Sequence, residues 1–345
     1  MTPTSPQADL RSRLLALLAA ARGRRVVVLG DLIADEFVSG RIARVSREAP
    51  VLILEYDSTE ILPGGAGNAA ANVAALGGIA ALVALAGRDE AGRRVLAACP
   101  VRVDTRAIVR PAGYHTPVKT RILAGGVHSA KQQVVRIDRR TREPIAEAWR
   151  AAWLRAAERA VAGADAVLVS DYGSGLLSPA LIARLVAPLR GPGRTVPVLV
   201  DSRYDLLRFR GLTACTPNQS EVEQALGLTI GDAPRILERA GRAILKRTRM
   251  DAVLVTRGSR GMALFEPDAP TLHLPIYGSD EIVDVTGAGD TVMATLTLAL
   301  AAGASLADAA RLANYAGGLV VMKRGTATVS ARELAQAVTA DTGGR

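Results

Sequence analysis

The residues best suited to chemistry lie in the heptapeptide Asp284-Val-Thr-Gly-Ala-Gly-Asp290, which a long apolar helical pattern follows directly. Thr286 is the predicted N-cap of that helix, and residues 293–301 have the composition of a helix interior. The two glycines would let the backbone approach a ligand, and the N–H groups and dipole of a helix start attract anions. Asp290 falls in the first turn, where its carboxylate could meet a hydroxyl that attacks phosphorus. Because the dipole makes such an Asp a weak base, positioning and charge stabilisation would matter most.

The same letters also fit an ordinary glycine-rich helix start with an acidic first turn, and the motif alone does not separate the two interpretations. A P-loop is excluded, because no G-x-x-x-x-G-K-[ST] sequence occurs in the chain. A dinucleotide fingerprint is disfavoured, because Gly287-Ala-Gly289-Asp-Thr-Val lacks the third glycine and lies near the C-terminus. The choice therefore depends on the rest of the chain.

The composition predicts a chain with a large buried core. Its 345 residues could form one large α/β domain or two smaller ones, and 49% of them are hydrophobic. No apolar run reaches the ~18 residues that a membrane span needs. The apolar N-terminal stretch resembles a signal peptide superficially. However, the helical spacing of Leu10, Leu14, Leu17 and Leu18 and the basic end at residues 22–25 favour a docking helix.

The formal net charge of +10 comes mainly from arginines that are spread over the whole length. Aromatic residues make up only 3%, so stacking platforms for single-stranded nucleic acid are not predicted. A basic balance also suits small anionic substrates, such as nucleotides and sugar phosphates. Neither the two cysteines nor the scattered histidines have metal-ligand spacing, which disfavours a disulfide scaffold or a zinc site (Cys99, Cys215, His115, His128, His273).

From residue 143 onward, strand and helix patterns alternate, which predicts a doubly wound α/β fold with a mostly parallel sheet and helices on both faces. The predicted strands are 26–29, 80–86, 166–169, 198–201, 212–216 and 252–256, with a β-rich patch at 262–265 and 271–274. The predicted helices are 68–76, 90–98, 143–162, 179–189, two between 217 and 251, the one at Asp290 and a final one near 309–321. Extra strands at about 35–61 and 116–138 predict a small inserted β-lid. The Pro63-Gly64-Gly65 sequence is predicted to break the chain. With residues 1–23 as an N-terminal helix or tail, the whole chain is predicted to be a single domain.

Several predicted strands end in polar or charged residues: Asp31, Asp171, Asp201, Asn218 and Arg257. In an open parallel sheet, the ligand crevice lies beyond the carboxyl ends of the strands. Any one of these residues could be a helix cap or a turn former. Together they predict a polar site at one edge of the sheet.

A second glycine-rich sequence, Pro63-Gly-Gly-Ala-Gly-Asn68, opens a predicted helix. Its amides could hydrogen-bond sugar hydroxyls, and Asn68 and Asn72 lie one turn apart on one face. A simple turn and helix start would give the same pattern.

In order and spacing, these motifs resemble the PfkB, or ribokinase-like, sugar kinases. The matching segments are Gly30-Asp31, Gly64-Gly-Ala-Gly-Asn68, Thr256-Arg-Gly258 with Gly261, and residues 284–290. The resemblance covers about residues 24–338, and the combination of Gly-Gly-x-x-Asn with D-x-T-G-A-G-D is highly specific. It implies a ribokinase-like fold and an ATP- and Mg²⁺-dependent kinase.

Finer matches resemble the subfamily that phosphorylates the C1 hydroxyl of D-glycero-D-manno-heptose 7-phosphate, on the way to ADP-heptose for lipopolysaccharide. They are Arg44-Val-Ser-Arg-Glu-Ala-Pro-Val51, Lys119-Thr-Arg with Gln132-Gln133 and Arg136-Ile-Asp138, Ser170-Asp-Tyr172, Thr216-Pro-Asn-Gln-Ser-Glu221 and Gly325-Thr-Ala-Thr-Val329. Some bacteria fuse this kinase to a nucleotidyltransferase. Because the chain ends near the close of the kinase pattern, we expect that second activity on another polypeptide.

The resemblance implies a role for each matching residue. Asp290 would be the catalytic base, and Gly287, Ala288 and Gly289 would form the anion hole. The implied substrate contacts are Asp31, Asp35, Gly64, Gly65, Asn68, Gln133 and Asp171, with Arg121 and Arg136 for the distal phosphate. The implied nucleotide contacts are Asn218, Glu221, Thr256, Arg257, Gly258, Gly261, Thr286 and Asn314. Glu221 would also hold the metal ion.

The chain departs from the subfamily in two places. Asp201-Ser-Arg203 stands where Asp-Pro-Lys is usual, and Phe37 stands where Tyr is common. These changes leave open the role of Arg203 and the identity of the sugar. A PfkB kinase for another sugar phosphate or a nucleoside, or a non-catalytic sugar- or nucleotide-binding protein on the same scaffold, are the alternatives. We further expect a cytoplasmic location, no membrane or nucleic-acid partner, and a homodimer formed through exposed lid strands.

Overall fold

The apolar run at residues 26–29 forms the centre of the main sheet. These residues belong to strand β1 (Arg25–Gly30), and their side chains are fully shielded from solvent. Because successive side chains of a strand point to opposite faces, Val26 and Val28 enter one hydrophobic cluster, whereas Val27 and Leu29 enter another. Helices therefore have to cover both faces of this sheet.

The structure is a computed structural model that describes residues 6–125, 131–140, 143–191, 194–278, 284–323 and 325–341. His128 and part of the predicted lid segment 116–138 lie outside these ranges. The described α-helices are α1 (Pro6–Ala20), α2 (Ala66–Ala75), α3 (Glu90–Ala97), α4 (Glu147–Val161), α5 (Pro179–Val186), α6 (Gln219–Leu226), α7 (Pro234–Thr248), α8 (Ala288–Ala301), α9 (Leu306–Val320) and α10 (Ala331–Ala340). The strands after β1 are β2 (Leu32–Val45), β3 (Leu52–Gly65), β4 (Ile79–Val83), β5 (Val103–Asp104), β6 (Val118–Gly125), β7 (Gln132–Arg139), β8 (Ala166–Asp171), β9 (Arg190–Gly191), β10 (Arg194–Thr195), β11 (Val198–Ser202), β12 (Ala214–Cys215), β13 (Ala252–Thr256), β14 (Met262–Phe265) and β15 (Leu272–Leu274).

Nine of the described strands form one sheet in the order β15-β14-β13-β12-β11-β8-β1-β4-β5. The strands from β13 to β5 pair in parallel, and β14 and β15 are added antiparallel at one edge. Since β1 pairs with β8 on one side and β4 on the other, the strand order reverses at β1. Crevices at such switch points bind ligands in open α/β sheets. The predicted doubly wound, mostly parallel sheet is confirmed.

The N-terminal helix α1 packs on the main body through the leucine stripe that its spacing predicts. Leu14 and Leu18 are buried, and Leu10 and Leu17 are partly buried against the same cluster. Arg13 donates two hydrogen bonds to Asp308 of α9, at 2.7 and 3.1 Å. Within the ranges that the structure describes, no helix combines the length and apolar character needed to cross a membrane.

A second sheet of four described strands, in the order β3-β2-β6-β7, is called the lid sheet below. The lid sheet joins the main sheet through a narrow neck, where β2 leaves β1 and β3 returns to α2. The N–H of Ala66 donates to the carbonyl oxygen of Asp31 at 3.0 Å, which closes the neck. Gly65 has φ +58°, and a Cβ there would lie 2.5 Å from the same oxygen, so this position requires glycine.

Some predicted boundaries are wrong. β3 continues through Pro63 to Gly65 instead of breaking there, because β3 is an edge strand of the lid sheet and an edge tolerates proline. The helix expected from residue 143 begins at Glu147, and the strand expected at 212–216 covers only Ala214–Cys215. The helix near 309–321 is not the last, because α10 follows it.

The N-terminus of α10 carries a signal that identifies this helix. Ser330 and Glu333 form a capping box, in which Glu333 N–H donates to Ser330 Oγ at 3.2 Å and Ser330 N–H donates to Glu333 Oε2 at 2.8 Å. The S-x-x-E pattern is visible in the sequence, so this helix was predictable.

An ion pair joins β6 to β2 near the neck of the lid sheet. Arg121 Nη1 donates to Asp35 Oδ1 at 2.6 Å, and the two side chains are only 10% and 8% exposed. The guanidinium also lies over the ring of Phe37, 5.3 Å from its centroid. Asp35 Oδ2 accepts a hydrogen bond from Thr326 Oγ1 at 3.3 Å, which links the lid sheet to the C-terminal segment.

Arg121→Ala is expected to lower the free energy of unfolding by ~3–5 kcal/mol, because it leaves the Asp35 carboxylate buried without its cation. Denaturant unfolding followed by circular dichroism measures this loss. The double variant Asp35→Ala/Arg121→Ala should recover part of the stability, since no unpaired charge remains. A single variant as stable as the wild type would contradict a stabilising role for the pair.

Candidate active site

The start of α8 has the geometry of an anion site. Gly287, not the predicted Thr286, is its N-cap, with φ +77° in the left-handed region that favours glycine. The N–H of Thr286 instead donates to Asp284 Oδ1 at 2.8 Å, which holds the turn before the helix. The N–H groups of Gly289 and Asp290 have no acceptor within the helix, and the positive end of the dipole lies there.

Asp290 lies in the first turn of α8 and is buried in a hydrogen-bond network. Asn68 Nδ2 donates to its Oδ2 at 2.8 Å, and the Tyr172 hydroxyl donates to its Oδ1 at 3.1 Å. Asn72 Nδ2 in turn donates to Asn68 Oδ1 at 3.1 Å, and Thr291 Oγ1 donates to Asn72 Oδ1 at 3.0 Å. These contacts fix the position and orientation of the carboxylate.

Burial makes Asp290 a better base than its place in the helix dipole predicts. Loss of solvent raises the pKa of Asp290 to about 6, while the hydrogen bonds from Asn68 and Tyr172 lower it and the charge of Asp35 raises it further. The carboxylate is therefore ionised near neutral pH and has a useful affinity for a proton.

The two glycines of the motif have different surroundings. A Cβ at Gly287 would lie 2.5 Å from Asn68 Nδ2, so glycine lets the asparagine reach Asp290. A Cβ at Gly289 would have Asp201 Oδ2 as its nearest contact, at 3.9 Å. Gly289 thus faces open space, and this space belongs to a cavity.

This first cavity has a volume of about 390 Å³ and lies at the carboxyl ends of the strands. The start of α8 forms one side of it, through Gly287, Ala288, Gly289 and Asp290. The other predicted nucleotide residues that line it are Asn218, Glu221, Thr256, Gly258, Gly261 and Asn314. The structure therefore brings together residues that lie almost a hundred positions apart in the sequence.

Acidic side chains crowd one side of the first cavity. Asn218 and Glu221 form a capping box, in which each backbone N–H donates to the other side chain at 2.9 Å. Burial raises the pKa of Glu221. Burial, with repulsion from Glu221 and Asp290, raises the pKa of Asp201 well above its usual range. A cation in the cavity would relieve this repulsion.

A second cavity, of about 610 Å³, lies between the main sheet and the lid sheet. It contains Asp31, whose carboxylate accepts hydrogen bonds from Ser174 Oγ at 2.5 Å and from Tyr172 N–H at 2.9 Å. Burial raises the pKa of Asp31 to about 6. The wall also carries five basic residues, which are Lys119, Arg136, Arg139, Arg140 and Arg203.

The two cavities adjoin, because Tyr172 and Arg203 line both of them. The Tyr172 hydroxyl donates a hydrogen bond to Asp290, and the Lys119 ammonium lies over the Tyr172 ring, 4.6 Å from its centroid. A group bound in one cavity can thus react with a group bound in the other, with Asp290 beside them.

Several predicted contacts lie away from the cavity walls. Arg257 Nε donates to Gln219 Oε1 at 3.5 Å, and Gln133 is exposed on β7. Gly64 lies against Asp35, since a Cβ there would be 2.3 Å from Asp35 Oδ2. Eight of the predicted contacts do not line either cavity: Arg121, Gln133, Arg257, Thr286, Gly64, Gly65, Asn68 and Asp35. Their predicted ligand contacts stay predictions, and the structure gives Arg121, Asp35 and Asn68 partners within the protein.

Asp171, also a predicted substrate contact, lines the first cavity, where it organises the loop after β11. Its carboxylate accepts hydrogen bonds from Ser202 Oγ at 2.7 Å and from Gly173 N–H at 3.0 Å.

Sequence reasoning assigned no role to Tyr172, Lys119 or Ser174. Tyr172 directly follows the acidic end of β8, so its place beside the crevice was a usable signal. Lys119 is one of only four lysines in the chain, but its approach to Tyr172 depends on the pairing of β2 with β6. The contact of Ser174 with Asp31 has no sequence signal that we recognise.

The model of the family described as pfkB family carbohydrate kinase matches residues 24–333. The chain belongs to this family. It is therefore a phosphotransferase that acts on a sugar hydroxyl, as the resemblance of its motifs implies.

The chain is similar to curated proteins named bifunctional protein HldE. The relative from Geobacter metallireducens is 40% identical over 326 residues, which covers 94% of this chain and 65% of the relative. The relative from Caulobacter vibrioides is 43% identical over 319 residues, which covers 91% of this chain and 63% of the relative. The chain thus spans slightly less than two thirds of the length of these proteins.

Solved structures share the fold. Phosphofructokinase-2 from Escherichia coli, in complex with potassium, has a TM-score of 0.71 and 17% identity over 92% of this chain and 98% of its own. Ribokinase from Arabidopsis thaliana, complexed with ribose and ATP, has a TM-score of 0.68 and 19% identity over 93% of this chain and 100% of its own. At such identities the likeness extends to the fold alone.

The kcat/KM for the sugar is expected to fall about tenfold per pH unit below about pH 6, because protonation removes the base Asp290. Tyr172→Phe should shift this acidic fall in kcat/KM, called the acidic limb, to higher pH. In the wild type the hydrogen bond from Tyr172 lowers the pKa of Asp290, and the variant lacks it. Asp290→Asn should lose ~10²–10⁴-fold in kcat with both substrates still bound. Rate profiles of the wild type and both variants, from about pH 4.5 to about pH 9, bracket the titration of a carboxylate with this pKa and test these expectations.

Asp31 has a similar pKa, so the limb in the wild type does not identify the titrating group. Tyr204→Phe is the control, because Tyr204 lines the second cavity and should leave the limb in place. An unmoved limb in Tyr172→Phe, or near wild-type kcat in Asp290→Asn, would remove Asp290 as the base.

Gly289→Ala is expected to separate stability from activity. Its Cβ meets no protein atom closer than 3.9 Å, and alanine favours a helix by up to ~1 kcal/mol, so Tm should be unchanged or higher. The same methyl group enters the first cavity, so kcat/KM should fall by at least ~10-fold, as for an obstructed anion hole. Gly287→Ala is the comparison and should lower Tm, because of its φ of +77° and its contact with Asn68. Full activity in Gly289→Ala would place the anion site elsewhere.

Proposed function

We propose that the chain is an ATP-dependent kinase that phosphorylates the C1 hydroxyl of D-glycero-D-manno-heptose 7-phosphate. The observation that carries this proposal is the pair of adjoining cavities beside Asp290, one at the anion-binding start of α8 and the other with basic walls. The motif resemblance to heptose 7-phosphate kinases and the identity of about 40% to proteins named HldE support this choice of sugar.

The first cavity suits the nucleotide. The amides of Gly289 and Asp290 favour a phosphate at one end, where the helix dipole is positive. Gly317 and Gly318 of α9 form part of the remaining wall, together with apolar side chains from other elements: Met262, Ile276, Val285, Val292 and Val321. Such a wall accepts a flat base without competing for its hydrogen bonds. ATP is the cofactor that we propose here.

The second cavity suits a sugar that carries a distal phosphate. Asp31 supplies an acceptor for a sugar hydroxyl at the bottom of the cavity. Arg136, Arg139 and Arg140 lie on or beside β7 of the lid sheet, where a phosphate would have guanidinium partners. A neutral sugar would need no such cluster.

The reaction can be written with the groups present. The C1 hydroxyl oxygen of the sugar attacks the γ-phosphorus of ATP, and a new P–O bond forms as the bond to the β–γ bridging oxygen breaks. The hydroxyl proton passes to the Asp290 carboxylate, and ADP leaves with the electron pair of the broken bond. Asn68 and Tyr172 hold the carboxylate in place. The amides at the start of α8 stabilise charge on the transferred group.

Mg²⁺ fits the acidic side of the first cavity. The described residues contain no cluster of three or more ligand-type side chains, but Mg²⁺ is usually held by one or two carboxylates, water and the phosphates of the substrate. We propose Glu221 as its carboxylate, with Asp201 beside it, since the repulsion between these two groups favours a cation. Mg²⁺ would neutralise charge on the nucleotide phosphates.

Other expectations stay predictions. Exposed apolar side chains on β7, such as Val134, Val135 and Ile137, are compatible with a homodimer formed through the lid sheet. A cytoplasmic location is expected from the motif resemblance alone. The alternative substrates are another sugar phosphate or a nucleoside, and a substrate panel separates them.

ADP release with heptose 7-phosphate, fructose 6-phosphate, ribose and adenosine tests the proposal. We expect the highest kcat/KM for heptose 7-phosphate and a strong preference for sugar phosphates over free sugars. Arg136→Ala should raise KM for the sugar phosphate by the equivalent of ~1.5–3 kcal/mol and leave KM for ATP unchanged, because it removes one charge-assisted hydrogen bond.

Arg41→Ala is the matched control, since Arg41 also lies on the lid sheet in an exposed ion pair, with Asp57, but lines neither cavity. Equal kcat/KM for phosphorylated and free sugars would exclude the phosphate site while leaving the sugar kinase intact. Turnover of fructose 6-phosphate alone would replace heptose 7-phosphate as the substrate.

A further inference from the structure

Arg203 occupies a position shared by the two cavities. It follows β11 and lines the first cavity together with Asp201 and Glu221, and the second together with Lys119. Burial raises the pKa of Asp201 and Glu221, and the positive charge of Arg203 offsets part of that rise; on the other side, burial lowers the pKa of Lys119 and the charge of Arg203 lowers it further. Its charge thus acts in both cavities.

The backbone at Arg203 is fixed, although its side chain is exposed. Its N–H donates to the carbonyl oxygen of Asp171 at 3.1 Å. The hydroxyl of the preceding Ser202 donates a hydrogen bond to Asp171 Oδ2 at 2.7 Å and accepts one from the N–H of Asp205 at 3.1 Å. These bonds anchor the base of the side chain beside the ends of β8 and β11.

The guanidinium of Arg203 differs from those of Arg136 and Arg139 in having no carboxylate partner among the described residues. Arg136 pairs with Asp138 at 2.9 Å, and Arg139 pairs with Glu36 at 2.7 Å. Arg203 forms no ion pair with any carboxylate of the described residues, although Asp201 and Glu221 are near enough to feel its charge. Its fork of donors is therefore available to a ligand.

We propose that Arg203 contacts the phosphoryl group during its transfer and stabilises its charge in the transition state. The proposal rests on the proposed function, in which the nucleotide occupies the first cavity and the acceptor sugar the second. A phosphoryl group that moves between them passes the boundary that Arg203 and Tyr172 share.

The charge distribution of the reaction explains why this position matters. The transition state for phosphoryl transfer spreads negative charge over the equatorial oxygens of a group that is only loosely bonded to either side. A cation at the boundary interacts most strongly with that group when it lies between donor and acceptor. It therefore raises kcat more than it raises the affinity for either substrate. A guanidinium can donate two parallel N–H bonds to two of these oxygens in a fixed planar geometry, which an ammonium does not offer.

Arg203→Gln and Arg203→Lys test the proposal, with whichever sugar of the panel the wild type phosphorylates fastest. For Arg203→Gln we expect kcat to fall by ~10²–10³-fold, as for loss of a donor to a developing charge. The Kd values for the non-hydrolysable nucleotide AMP-PNP and for the sugar should change by less than ~10-fold. Arg203→Lys should restore part of kcat, because it keeps the positive charge but lacks the planar pair of guanidinium N–H donors.

The decisive measurement is inhibition by a compound that mimics the transferring phosphoryl group. Inhibition by ADP with aluminium fluoride, in the presence of the sugar, should weaken in Arg203→Gln by about the same factor as kcat. A purely structural role would not produce this match. Arg208→Gln is the control, since Arg208 lies in the same loop, pairs with Asp205 at 3.0 Å and lines neither cavity.

Each other outcome overturns the proposal. Unchanged kcat in Arg203→Gln removes Arg203 from the reaction. An increase in KM for the sugar alone makes it a sugar ligand, and an increase for ATP alone makes it a nucleotide ligand. These results are independent of which sugar is the substrate, so a failure of the heptose assignment leaves the test of Arg203 valid.

Discussion

The hydrogen bond from Asn68 to Asp290 is the interaction on which the site depends. A buried carboxylate costs several kcal/mol unless donors satisfy it, so Asp290 needs a fixed donor to remain in place. Asn68 lies on α2 and Asp290 on α8, and the bond therefore requires that these helices pack closely. Gly287 permits that approach, because any side chain there would meet Asn68. The glycine of the motif thus serves the base as well as the anion site.

Opposite charges divide the site. Carboxylates crowd the first cavity, and burial raises the pKa of both Asp201 and Glu221. Basic side chains line the second cavity, where burial lowers the pKa of Lys119. A nucleotide with its cation suits the first environment, and an anionic sugar suits the second. If the sugar carries a phosphate, as we propose, the divided charges would favour a productive arrangement of two substrates that repel each other in water.

Sequence reasoning recovered most of the fold, because strand and helix periodicity and turn residues are local properties. It placed Asp31, Asp171, Asp201 and Asn218 correctly beside the cavities at one edge of the sheet, because parallel strands end on the same side. Contacts that depend on pairing over long distances were not predictable from the sequence. Arg121 stays a predicted phosphate ligand by residue type, but the pairing of β2 with β6 also brings it to Asp35, a partner that the sequence did not reveal. The raised pKa of Asp290 likewise depends on burial, which the motif alone does not reveal.

The architecture separates the chemistry from the choice of sugar. Asp290, Asn68 and the start of α8 belong to the rigid core, where each is fixed by helix packing. The basic residues Arg136 and Arg139 belong to β7 of the lid sheet, which meets the core at the neck where β2 leaves β1 and β3 returns to α2. Substitutions on the lid strands would therefore change the proposed sugar site without disturbing the proposed base Asp290. This separation is consistent with a family in which one catalytic motif phosphorylates different carbohydrates.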